Sequence, residues 1–182
     1  MPLLDIAFLM ASPMVDEVDG TIVSLATDPL DTTNEYFGIK AALEKTQRAC
    51  EMRLDVATEE TLHRLLVECQ PRVLHISCHG AFTTDGDDLK SFFLAWEKRG
   101  VLHRLRPHRL RELLDEVSSR PSVVFISACH SLEMGRVFHE MGVPYVLAVN
   151  ADTKITDSAC QKFASSFYVS LARQMPVPVA YR

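Results

Sequence analysis

Val123-Val124-Phe125-Ile126-Ser127-Ala128-Cys129-His130-Ser131 decides the fold. Four apolar residues, β-branched or aromatic, end abruptly in small residues and a cysteine. A short apolar run of this kind, bounded by a turn signal, reads as a strand buried on both faces. Glu133 to Met141 follows with helical character. Cys129 therefore stands at the carboxyl end of a parallel strand, where open α/β sheets carry their sites. Val73-Leu74-His75-Ile76-Ser77-Cys78-His79-Gly80 has the same form and ends in a histidine before glycine. Two strand ends, one with Cys129 and one with His79, point to a thiol–imidazole pair.

Composition narrows the class. The chain has 182 residues, enough for one domain with a sizeable core. A net charge of -5 leaves no basic footprint for nucleic acid. No apolar run reaches about 18 residues, so no membrane span is expected. The opening Leu3-Leu4-Asp5-Ile6-Ala7-Phe8-Leu9-Met10 lacks a basic flank and suits a first strand better than a signal peptide. The 5 cysteines are irregularly spaced and odd in number. That favours reduced thiols in the cytoplasm over a disulfide framework.

Along the chain, Leu4–Ala11 reads as the first strand and Pro13–Asp31 as a polar, acidic loop, with Thr21–Ala26 a short strand or turn within it. Thr32 with Glu35 three residues on is a capping-box pattern, and predicts a helix from about Asn34 to Cys50. Met52–Val56 reads as a strand. Thr58 caps a helix carrying Leu62, Leu65, Leu66 and Cys69, which Pro71 closes. Ala81–Leu89 reads as a loop with Asp85, Asp87 and Asp88 at its tip. Phe92–Trp96 and Val101–Leu102 form a hairpin across Lys98-Arg99-Gly100. A helix follows from Pro107 to Val117. After the Cys129 strand and its helix, Gly142 is the stop signal. Tyr145–Val149 is read as another buried strand, and Thr156 or Asp157 caps a last helix to Arg173. Strands alternating with helices imply an α/β protein, a mostly parallel sheet with helices on both faces. There is no internal repeat and no domain boundary.

The two strand ends suit nucleophilic chemistry. A cysteine attacks as thiolate, and a neighbouring imidazole is the usual means of generating it. His79 takes that role, accepting a proton and returning it to a leaving amine. Attack on a carbonyl also needs donors for the oxyanion. The backbone N–H groups of Cys129 and Gly80 are the candidates, glycine permitting close backbone approach.

The His-Ile-Ser-Cys-His-Gly stretch ending at Gly80 and the Phe-Ile-Ser-Ala-Cys-His-Ser stretch ending at Ser131 are followed by Met134-Gly135 and by Val143-Pro144-Tyr145-Val146-Leu147-Ala148-Val149. In that order they resemble a CHAT domain, the caspase-like peptidase domain often attached to tetratricopeptide repeats. Leu4–Ala11, Ala57-Thr58-Glu59-Glu60, and Asp157 with Phe163-Ala164 and Phe167-Tyr168 extend the resemblance over nearly the whole chain. His79 and Cys129 stand 50 residues apart, about the histidine-to-cysteine separation of caspases. The resemblance implies a caspase-like three-layer α/β/α sandwich over residues 1–182 and a cysteine endopeptidase with His79 and Cys129 as its dyad. It implies no cofactor, a protein or peptide substrate, and a regulatory partner or flanking repeat or sensor domain. Cys78 stands where many relatives have glycine. The chain stops at Arg182, where such a domain is expected to continue; a chain trimmed at its C-terminal end and a naturally short form both fit.

Other readings stand beside these. His75 shares a strand face with Ser77 and His79 and reads as a satisfied core histidine; Cys78 faces the other way and packs. His130 either lines the substrate cleft or begins a turn. Asp152 and Asp157 follow the strand after Cys129, where an acidic wall would select Arg or Lys before the cut; Asp157 is also a plain helix cap. The Asp85, Asp87, Asp88 loop is a solvated tip or a rim for basic substrates. Histidines and cysteines around the two strand ends do not fit a zinc-finger spacing. Two further classes compete: a catalytically silent caspase-like interaction module in a signalling protein, and a flavodoxin- or Rossmann-type binding domain. The latter lacks a glycine-rich phosphate loop, having Ala11-Ser12-Pro13 instead.

Overall fold

The computed structural model describes residues 5–26, 29–85, 89–150 and 157–182, with backbone alone at 84, 85, 89, 90 and 157. In chain order the elements are β1 (Ile6–Met10), β2 (Val15–Val18), β3 (Thr21–Ser24), α1 (Thr32–Glu44), β4 (Met52–Val56) and α2 (Glu59–Arg64). A π-helical extension of α2 over Leu65–Cys69 ends at Gln70 in the left-handed conformation. There follow β5 (Val73–Ser77), β6 (Gly80–Asp85), β7 (Leu89–Lys98), β8 (Val101–Leu105), α3 (Pro107–Asp115), β9 (Val123–Ser127), α4 (Leu132–Glu140), β10 (Tyr145–Leu147), α5 (Asp157–Ala172) and α6 (Val177–Ala180).

The centre is a five-stranded parallel sheet in the order β10-β9-β5-β1-β4. Side chains alternate across it. Ala7, Leu9, Leu74, Ile76, Val124 and Ile126 pack on one side with α2, α3, α4 and Phe92 and Trp96 of β7. Ile6, Phe8, Val123 and Phe125 pack on the other with Tyr36 and Ile39 of α1 and Phe167 and Tyr168 of α5. This is an α/β/α sandwich, and both faces being covered accounts for the unbroken apolar runs of β5 and β9. Two antiparallel units are appended: the β2-β3 hairpin and the β6-β7-β8 sheet.

Several sequence expectations change. The 13–31 stretch holds a hairpin as well as loop. The segment 81–85, expected to be loop, belongs to strand β6, which pairs with β7 from Gly80↔Leu94 onward. Helix α1 ends at Glu44, short of Cys50. The strand at 145 is an edge of 3 residues, with Tyr145 exposed and its neighbours half-buried, because nothing pairs on its outer side among the described residues. Past the last helix expected from sequence, the chain makes one more short helix, α6, with Pro176 at its N-cap position.

Phe138 of α4 is fully buried in the layer that carries β9. Phe138→Ala should lower unfolding stability by about 3–5 kcal/mol. A fall in urea midpoint at constant denaturant slope would register it.

Candidate active site

β5 and β9 are neighbours in parallel register, Ser77 opposite Ser127. The pairing runs on past both strands, since Cys78 N–H donates to the Ser127 carbonyl at 3.2 Å. Two residues beyond the matched serines, His79 and Cys129 come level at the carboxyl rim of the sheet. Both line one cleft of about 280 Å³. Cys129 is exposed, whereas Cys78 is buried in the core. Burial pushes the Cys78 thiol far above the ordinary cysteine range against a lowering contact with Trp96, so it stays protonated and inert.

Gly80 fixes how closely the two strand ends meet. A Cβ at this position would lie 1.9 Å from the Cys129 carbonyl oxygen and 3.2 Å from the Phe92 ring. Only glycine allows that approach. The other supports are backbone bonds. Ala95 N–H of β7 donates to the His79 carbonyl at 2.9 Å, so the appended sheet anchors the histidine's main chain. After Cys129 the chain turns through His130 in the left-handed region, φ 57°. Ser131, buried, accepts from Val149 N–H at 3.0 Å, and Leu132 N–H donates to the Val149 carbonyl at 3.1 Å. These bonds tie the start of α4 to the end of β10.

The cleft has an acidic floor. Glu35 of α1 lines it yet is almost entirely buried, 4% exposed. Its Oε2 accepts from Ser77 Oγ at 2.6 Å, and its Oε1 lies 3.2 Å from His75 Nε2. That second contact is close enough for charge attraction but poorly aligned, so neither atom completes a directed hydrogen bond. His75 is fully buried between the rings of Phe8 and Phe125, centroids 4.3 and 4.8 Å away, and its Nδ1 meets Tyr168 OH at 2.8 Å. Burial raises the Glu35 pKa, but the adjacent His75 imidazole, with hydrogen bonds from Ser77 and Ser127, outweighs it and holds the carboxyl below its ordinary 4.5. Burial, with Glu35 next, raises the Tyr168 pKa, keeping the phenol neutral. Cys160 of α5 closes one wall, its Sγ 3.2 Å from Ser127 Oγ.

A family model for the CHAT domain matches residues 16–182. The chain belongs to the CHAT family. It is thus a caspase-like, peptidase-related domain. No curated protein matches it.

In this CHAT domain the expected pair, His79 and Cys129, does share a cleft, and Gly80 abuts Cys129. His75 is the buried core histidine expected of it. His130 begins the turn and sits outside the cleft, its ring 5.2 Å from that of Phe82 on β6. Asp152, Asp87 and Asp88 lie outside the described residues, as does Thr156; for Asp85 and Asp157 only the backbone is described. No cluster of three or more metal-ligating side chains occurs among the described residues, and no described helix is long and apolar enough to cross a membrane.

One cleft residue was misread from sequence. Glu35 matched the capping box after Thr32, but the cap of α1 is Asp31, whose side chain accepts from Asn34 N–H. Glu35 instead turns inward. A charged residue on the face of α1 that also carries Tyr36 and Ile39 was the signal available.

Gly80→Ala must displace the backbone at Cys129 and should destabilise the fold by about 1–3 kcal/mol, read by chemical denaturation, while slowing alkylation of Cys129. A second expectation concerns acid. Glu35 has a folded-state pKa below its unfolded value, so its contribution is complete above about pH 4.5 and is lost as pH falls through the folded value. Between about pH 6 and 3, the urea midpoint of Glu35→Gln should fall less than that of the parent.

Proposed function

We propose that this CHAT domain is a cysteine endopeptidase in which Cys129 is the nucleophile and His79 the general base and acid. The observation that carries the reading is an exposed thiol and an imidazole in one cleft, level at the ends of adjacent parallel strands. His79 takes the Cys129 proton and the thiolate attacks the scissile carbonyl carbon. The C=O electrons move onto oxygen, and the Gly80 and Cys129 amide N–H groups receive the oxyanion. Collapse breaks the C–N bond, with the proton from His79 going to the leaving amine. Water then attacks the thioester, His79 taking its proton and returning it to sulfur as the acid product leaves. The balance closes with one water and no cofactor.

Asp152 and Asp157 belong to the segment expected to complete the rim. Activity is held off until a partner or flanking sensor domain engages the cleft. Five free thiols, Cys50, Cys69, Cys78, Cys129 and Cys160, suit a reducing, cytoplasmic compartment.

Hydrolysis of a peptide library, followed by mass spectrometry, tests the reading. Cys129→Ala should abolish cleavage, and His79→Ala should reduce it by about 10²–10⁴-fold. His79→Ala should also slow iodoacetamide labelling of Cys129 at neutral pH. Cleavage surviving in Cys129→Ala would sink the assignment. If the parent chain cleaves nothing and His79→Ala leaves labelling unchanged, a silent interaction module takes its place.

A further inference from the structure

We infer that the outer edge of β10 is a docking slot for a partner protein, which adds to it an extended segment whose acidic residues alternate with apolar ones. The slot lies away from Cys129, and the inference holds whether or not the chain cleaves peptides. Among the described residues β10 is paired on one side only, by β9. Its other edge runs along a groove of about 680 Å³ between α4 and α6. An uncovered edge carries main-chain donors and acceptors ready for another strand.

The two walls of the groove differ in chemistry. Val146 and Ala148 pack into the layer of α4. That helix lies directly on them, since a Cβ at Gly135 would stand 2.9 Å from the Ala148 Cβ and 3.3 Å from Val146 Cγ1. Beyond Gly135, the α4 wall presents Arg136 and His139, both exposed. Glu140 of the same helix is engaged by Arg111. Leu147 packs into the opposite layer, with Val177 of α6. That wall continues in Pro178 and Tyr181, with Arg182 at its end. Tyr145 and Tyr181 are 43% and 61% exposed, so apolar surface here stands open. Successive side chains of a strand point to opposite faces. A strand laid beside β10 therefore sends alternate residues towards Arg136 and His139, and the residues between them towards Pro178 and Tyr181. The lining holds two arginines, one histidine and no aspartate or glutamate. Acidic residues on the first set and apolar ones on the second complement both walls. A second copy fits less well. Antiparallel pairing of β10 with its own equivalent about a two-fold axis puts both α4 helices on one face, each turning Arg136 and His139 towards the other.

The probes are end-blocked octapeptides: an alternating Glu-Val repeat, an alternating Lys-Val repeat, and a block of glutamates followed by a block of valines. Each is titrated into the whole chain and followed by amide NMR and calorimetry. The alternating acidic peptide should bind about fivefold more tightly than either of the others, with the shifts centred on residues 145–148. Arg136→Glu, a change at an exposed position, should weaken it about fivefold and favour the lysine peptide. Arg136→Gln, which removes the charge alone, should weaken it less. Only alternate main-chain groups of a strand face a given neighbour. Of two further peptides, N-methylated at every glutamate or at every valine, one should therefore lose binding and the other keep it. Equal binding of the first three peptides, binding by none, shifts confined to another surface, or equal loss in both methylated peptides would overturn the inference. So would self-association of the chain that protects the amides of β10, which assigns the edge to a second copy.

Discussion

The Cys129 carbonyl occupies the space where a side chain at position 80 would stand. That contact is the constraint on which the site depends. β5 and β9 are parallel and adjacent, so equal numbers of residues after Ser77 and Ser127 reach equal heights. Register alone brings His79 and Cys129 level. It does not bring them together, because successive residues past a strand diverge unless something holds them. The absence of a Cβ at Gly80 lets one chain pass against the other. The Ala95 amide on the His79 carbonyl and Ser131 on the Val149 amide then hold each side in place.

Beneath His79 and Cys129 lies a polar group in the otherwise apolar layer between the sheet and helices α1 and α5. Burying a carboxylate costs several kcal/mol unless partners satisfy it. Glu35 has Ser77, and it has His75 as an electrostatic neighbour; His75 in turn has Tyr168 and two flanking aromatic rings. The set joins α1, β5 and α5, three elements whose ends frame the cleft. One oxygen is left imperfectly satisfied, and it belongs to a residue that lines the cleft.

Much of this was legible in the chain. Two apolar strands ending in small residues, a histidine before glycine and a cysteine before a helix carried the α/β order, the rim position and the pairing of His79 with Cys129. Those signals are local, or depend only on strand parity and on parallel connection, both of which physics restricts tightly. The β6 strand escaped because its Thr- and Asp-containing sequence resembles a loop until β7 pairs with it. The strand at Tyr145 seemed fully buried because an apolar run does not say whether its outer edge has a neighbour.

Glu35 marks the boundary most clearly. By local pattern it is the fourth member of a capping box, and Thr32 and Glu35 are spaced correctly for one. The alternative, a carboxylate turned under the sheet, is stabilised by Ser77, 42 residues away, and by His75 close to it. Local hydrogen-bond patterns are encoded within a few residues and are read from sequence. A buried ionic contact depends on where an entire helix lands on a sheet. The sequence by itself determined the sandwich, the strand ends and the placing of His79 and Cys129 there. Only the tertiary structure decided that the cleft beside them has a charged floor, because packing across the sheet, not spacing along the chain, sets which side chain lies under Cys129.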